Sequence, residues 1–210
     1  MATMNHKKTP ALIFDVGGVL VDWNPKHLFS KMFAGEEEKM DRFLSEVCSA
    51  DWNSRQDLGL PFAQAIAERE QDYPEYAPYI RAYFERWDET VKGEISGTVE
   101  IVKALRDAGY TLHILSNWSA ETYEMILKRF EFLGWFDEVI VSGRVGLIKP
   151  GREIFDLLLR RIGLEANQCL FIDDSPINIS AANDLGFQTV HFRSAQELLA
   201  ELGERQLLGQ

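Results

Sequence analysis

Five short, nearly continuous apolar runs constrain the fold of this 210-residue chain more than any other feature: Ala11–Phe14, Thr111–Leu115, Glu138–Val141, Cys169–Ile172 and Thr189–Phe192. A strand with one wet face alternates apolar and polar residues, whereas a strand covered on both faces stays apolar throughout. Helical patterns fill the intervals. Ile101, Val102 and Leu105 share one face before Gly109, Ile154, Leu157, Leu158 and Ile162 precede Gly163, and Ile177, Ala181 and Leu185 precede Gly186. Glycine after the last apolar position is a helix stop signal. Alternation of strand and helix at these lengths predicts an α/β fold, with a parallel sheet, right-handed crossovers and helices on both faces.

The stretch from Trp23 to Glu94 breaks that alternation. It contains amphipathic segments such as Phe62–Glu70 and Pro78–Trp87 but no convincing strand run, and Pro61, Pro74 and Pro78 mark turns or helix starts. We expect residues 1–22 and 95–210 to form the α/β core and 23–94 an inserted all-helical cap. The segment from Ser194, with Leu198, Leu199 and Leu202, reads as a closing helix.

Composition narrows the partners. A net charge of -11 argues against sequence-independent nucleic-acid binding, which needs a basic surface, but leaves room for a locally positive pocket that takes a small anion. Cys48 and Cys169, the only cysteines, suggest neither a disulfide framework nor a metal cluster. Met1 to Pro10 has no apolar core of a leader, and no run approaches the ~20 apolar residues of a membrane span. The expectation is a cytoplasmic chain with no membrane partner and a small-molecule substrate, with a homodimer left open.

Ligands of parallel sheets collect at the carboxyl ends of the strands. There the sequence places Asp15 before Gly17 and Gly18, then Ser116-Asn117, then Lys149-Pro150, then Asp173-Asp174. Taken singly these are ordinary: Ser116-Asn117 suits a helix start, Asp173-Asp174-Ser175-Pro176 another, and Lys149-Pro150 a solvated turn. Together they put three carboxylates, a hydroxyl, an amide and an ammonium on one edge. A carboxylate such as Asp15 can act as a nucleophile through an acyl phosphate. Clustered carboxylates repel unless a cation joins them, and Mg²⁺ takes oxygen ligands and bridges carboxylate and phosphate. Lys149 would balance the charge of nucleophile and transferred group. Ser116 and backbone N–H groups near Gly17 and Gly18 could hold phosphoryl oxygens.

The ordered set Phe14-Asp15-Val16-Gly17-Gly18-Val19-Leu20, Ile114-Leu115-Ser116-Asn117, Lys149-Pro150 and Phe171-Ile172-Asp173-Asp174, followed by Asn178, resembles the haloacid dehalogenase superfamily of aspartate-nucleophile hydrolases. The resemblance spans nearly the whole chain and includes a helical insertion placed like the C1 type of cap. It implies a Rossmann-like core, Asp15 as nucleophile, Ser116 and Asn117 as phosphoryl-positioning residues, and Lys149 as charge balance. It also implies a Mg²⁺ site from Asp15, Asp173, Asp174 and the Gly17 carbonyl.

Phosphatases of that family generally carry a second aspartate, the general acid/base, where this chain has Gly17. Metal-free 2-haloacid dehalogenases also lack it, but they generally lack the acids of the fourth motif as well. Asp173-Asp174 therefore favours a Mg²⁺-dependent phosphatase over a dehalogenase. A catalytically weak binding protein is the third reading. The stretch Phe14–Asp22 resembles bacterial α-D-glucose-1-phosphate phosphatases, which implies a sugar phosphate and a leaving group that tolerates loss of the acid. Trp23, Asn24, Trp52, Asn53 and Arg55 are the cap residues expected to face the substrate, with Arg55 holding an anion and Trp118 approaching from the core side. His27, His113 and His191 lack ligand spacing and read as packing residues.

Overall fold

The computed structural model describes residues 10–209; the stretch 1–9, where no leader is expected, lies outside the described residues. Its centre is a five-stranded parallel sheet of β1 (Ala11–Phe14), β4 (Leu112–Ser116), β5 (Glu138–Val141), β6 (Cys169–Asp173) and β7 (Gln188–His191), in the order β5-β4-β1-β6-β7. Each matches an expected strand to within one or two residues. From β1 the chain builds outward to β4 and β5, then crosses back to lay β6 and β7 on the other side. That reversal beside β1 makes the switch point at which loops diverge and open a crevice.

Alternation along β1 explains why its apolar run is unbroken. Leu12 and Phe14 join the core on one face, with Val102 and Leu105 of α6 (Ser96–Asp107), Ile126 of α7 (Ala120–Arg129) and Leu198 of α11 (Ala195–Glu204). Ala11 and Ile13 point the other way, onto Ile154 and Leu158 of α9 (Arg152–Ile162) and Ala182 of α10 (Pro176–Asp184). All four β1 side chains are buried.

Two strands went unforeseen. β2 (Val21–Trp23) and β3 (Val91–Glu94) pair antiparallel into a small separate sheet at the two ends of the helical stretch. Between them lie α1 (Lys26–Met32), α2 (Glu37–Arg42), α3 (Ala50–Asp57), α4 (Phe62–Asp72) and α5 (Ala77–Glu85). This stretch is packed around aromatic rings: Phe33 stacks on Tyr79 with centroids 4.2 Å apart, and Trp52 meets Tyr83 edge-on at 5.0 Å. Among the described residues no helix is long and apolar enough to cross a membrane.

The helical stretch is fastened to the core by polar contacts as well. The fully buried Ser142 hydroxyl donates to the Asp57 carbonyl at 2.5 Å and accepts the Trp118 N–H at 2.9 Å. Glu121 of α7 accepts the Phe62 N–H that begins α4. Removing the hydroxyl strands both a carbonyl and an N–H, and buried unpaired groups cost about 1–3 kcal/mol. Ser142→Ala should therefore lower the unfolding free energy by about that amount in urea titrations. A loss below 0.5 kcal/mol (roughly the scatter of neutral surface substitutions) would show that the contact fastens nothing.

Candidate active site

The loops that follow β1, β4 and β6 converge. Asp15 follows β1 directly, with its Oδ1 held by the Ser116 hydroxyl at 2.7 Å and by the Val16 N–H at 2.7 Å. Its Oδ2 lies 3.0 Å from the Lys149 ammonium. Lys149 also donates to Asp173 Oδ2 at 2.6 Å, and its side chain is wholly buried. Burial works against the Lys149 charge, but the carboxylates of Asp15 and Asp173 outweigh it and hold the ammonium above its ordinary range. Burial pushes Asp15 up to about 7, opposed by Lys149 and reinforced by the Asp173 charge.

Asp173 and Asp174 are adjacent but serve different ends. Asp173 is fully buried and accepts from the Ser175 N–H, from Lys149 and, on both oxygens, from Asn178. Those bonds use the lone-pair positions of its carboxylate. Asp173 thus anchors Lys149 as well as standing in the carboxylate cluster expected to hold a metal. Asp174 is exposed, and among the described residues it has no cationic side-chain partner. Partial desolvation of its carboxyl at the mouth of the site, and then the neighbouring Asp173 charge, raise its pKa.

Asp15, Asp173 and Asp174 each offer an oxygen within 4.8 Å of the others. Gly18 at φ +72° makes room for this arrangement, since a Cβ there would sit 2.3 Å from Asp174 Oδ2. Hard oxygen donors, one of them unpaired and solvent-accessible, fit a small divalent cation between Asp15 and Asp174.

Other expected residues take different positions. Ser116 is fully buried and donates to Asp15, so it holds the carboxylate rather than facing outward. The Asn117 amide pairs with the Lys149 backbone in both directions at 2.9 Å, fixing the lysine loop. Arg55 is removed from the site: it is half-exposed and ion-paired to Glu68 at 2.8 Å, and it does not line the cleft. Trp52 is buried against Phe62 and Tyr83 as packing, and Asn24 caps the start of α1 through the Lys26 N–H.

Trp23 and Asn53 do line a cleft of about 610 Å³, together with Asp57, Asn117, Lys149 and Asn178. Sequence reasoning missed Asp57. Burial pushes its carboxyl up to about 7, against the pull of the Ser119 N–H and with the Asp15 charge adding to the rise.

A family model for haloacid dehalogenase-like hydrolases matches residues 9–186. The chain belongs to that family. This hydrolase is 25% identical over 207 residues to the sesquiterpene phosphatase astK of Aspergillus oryzae, covering 95% of this chain and 96% of that protein. It is 26% identical to the pyrophosphatase PpaX of Bacillus velezensis, over 89% of this chain and 84% of that one. Among solved structures, a HAD family enzyme of Bacteroides thetaiotaomicron in a magnesium complex shares the fold. Its TM-score is 0.72 at 21% identity, over 93% of this chain and 98% of that one.

Proposed function

We propose that this hydrolase is a Mg²⁺-dependent phosphomonoester phosphatase that forms a phosphoryl intermediate on Asp15. The observation that carries the reading is the unpaired Asp174 carboxylate beside an Asp15 already neutralised on its other side by Lys149. A halide can leave without a metal, whereas a phosphate dianion approaching Asp15 needs added positive charge. Mg²⁺, held by Asp15, Asp174 and the Gly17 carbonyl, would supply that charge.

The chain's own residues do the rest. Ser116 and the Val16 N–H aim Asp15, Lys149 offsets negative charge as it gathers on the phosphoryl oxygens, and Asp173 with Asn178 keeps Lys149 in place. Phosphoryl transfer depends chiefly on such positioning and electrostatics. The Gly18 N–H is taken by the Val21 carbonyl at 3.0 Å, so the Gly17 and Asn117 N–H groups are the ones to receive the phosphoryl oxygens, and residues 23–94 act as the C1-type cap that excludes water.

The leaving group points into the cleft. Its walls include Pro25, Leu44 and Ile177 beside the Trp23 indole, and Ile177 is 67% exposed. That wall suits an organic group with an apolar face, and the full-length relative named a sesquiterpene phosphatase agrees with it. The first motif instead favours a sugar 1-phosphate. A panel of glucose 1-phosphate, prenyl phosphates and simple alkyl phosphates separates the two. In every case phosphate release should fall to background in EDTA and return with Mg²⁺. Metal-independent release of chloride from a 2-chloroalkanoate, without phosphate-ester turnover, would establish the dehalogenase reading in its place.

A further inference from the structure

General acid help is typically worth about 10²–10⁴-fold in rate, so a phosphatase with glycine at the usual acid position needs another proton donor. The space above Gly17 is tight: a Cβ there would lie 3.2 Å from the Trp118 ring. That indole is wedged between Trp23 and Trp87, with centroids 6.1 and 5.8 Å away. An acid at position 17 would have to displace that ring to reach the leaving group.

We propose, on the phosphatase reading above, that Asp57 at the end of α3 is the proton donor and acceptor of this site. Among the described residues it is the one carboxyl group in the cleft wall, and it shares that wall with Lys149 and Asn117. Its position is built rather than incidental. The Ser142 hydroxyl of the core holds its carbonyl, and the Asn53 amide donates to its Oδ2 at 3.0 Å. Tyr83 in turn donates to Asn53 Oδ1 at 3.1 Å, fixing the orientation of that amide. Gly59, at φ +103°, lets the chain pass close to the core immediately afterwards, where a Cβ would meet the Gly143 carbonyl at 3.1 Å.

The charged and titratable groups that reach Asp57 are Asp15, whose charge raises its pKa, and Tyr83 of α5, whose own pKa burial holds well above its ordinary value; Lys149 shares the cleft wall. No ammonium or guanidinium pairs with the Asp57 carboxylate among the described residues, so it can keep a proton near neutrality. Asp57 also borders a small cavity of about 30 Å³ with Ser119, Thr122 and Trp118. Trp23, Phe62 and Trp87 complete its mixed aromatic and polar lining, and its volume is enough for about one water.

The proton balance closes over two steps. In the first, an Asp15 carboxylate oxygen bonds to phosphorus, the bond from phosphorus to the leaving oxygen breaks, and the Asp57 proton goes to that oxygen. In the second, water attacks the phosphorus of the acyl phosphate while its proton goes to the Asp57 carboxylate. Phosphate leaves, and Asp15 returns to carboxylate.

The test compares leaving groups in the Mg²⁺-loaded full-length protein. p-Nitrophenolate leaves without protonation, whereas an alkoxide does not. Asp57→Asn should turn over an alkyl phosphate about 10²–10⁴-fold more slowly. With p-nitrophenyl phosphate it should give a burst of one nitrophenolate per site, then a slow steady rate as phosphoryl-Asp15 accumulates. Asp57→Ala must repeat the pattern, and the burst amplitude counts the folded sites. Equal slowing of both substrates with no burst would overturn the Asp57 assignment while leaving the phosphatase reading intact. Absence of any phosphate-ester hydrolysis by the wild type would overturn both.

Discussion

Asp15→Asn is expected to lose at least about 10⁴-fold in Mg²⁺-stimulated phosphate release, because removal of a covalent nucleophile has effects of that order and beyond. The amide cannot attack phosphorus, and it also removes a negative oxygen from the edge where the proposed Mg²⁺ would bind. The fold should persist. The amide oxygen can still accept from Ser116 and Val16, whose donors sit 2.7 Å from Asp15 Oδ1. The new NH₂ would face the Lys149 ammonium, 3.0 Å from the present Oδ2, so a modest fall in melting temperature accompanies the kinetic loss. Phosphate release is measured alongside circular dichroism. A variant that keeps native spectra and more than a tenth of wild-type turnover would exclude Asp15 as the nucleophile.

Lys149→Met should be the most destabilising single change in the site. The lysine side chain is wholly buried between Asp15 and Asp173, and Asp173 is wholly buried itself. Removing one partner of a buried ionic cluster commonly costs about 3–5 kcal/mol, since the remaining charges keep their desolvation penalty. For a chain of this size that is roughly 6–20 °C in melting temperature.

The deficit should depend on pH when measured in EDTA. Burial already raises Asp15 from 3.8 to about 7, so the folded state binds more protons than the unfolded chain between those values. Stability therefore falls as pH rises through that window. Without Lys149 the strongest influence lowering the Asp15 pKa is gone, and the window extends upward. The gap between wild type and variant should be smallest near pH 4 and widen through neutrality. A gap that is flat with pH would mean that the lysine contributes packing rather than charge.

The sheet was legible because its physics is local to each strand. Burial of both faces writes a continuous apolar run, and the five runs gave strand positions nearly to the residue. β2 and β3 left no such trace. Val21-Asp22-Trp23 and Val91-Lys92-Gly93-Glu94 are short and half-polar, and they are paired only because the helical stretch brings its two ends together.

The site was legible as a set of residue types at strand ends, and less so in what each residue touches. Asp173 and Asp174 look equivalent in sequence, yet only the structure shows one saturated by Lys149, Ser175 and Asn178 and the other unpaired. Arg55 and Asp57 show the same limit on α3. Two residues apart on a helix they point about 200° away from each other, so only one can face the cleft. Without the direction of the helix the cation was the natural choice for an anionic substrate, and it was the wrong face. A clue to Asp57 was present in Asp57-Leu58-Gly59, where a glycine after a helical acid allows a tight approach to the core.

The tryptophan over Gly17 also limits how this site can change. Restoring an aspartate on the first loop would require Trp118 to give way, and Trp118 is held by Trp23, Trp87 and the Ser142 hydroxyl. Any side chain at position 17 is therefore coupled to the indole: a Cβ 3.2 Å from the Trp118 ring asks that ring to shift by a few tenths of an ångström, and with it the Trp23 and Trp87 rings that pack on it.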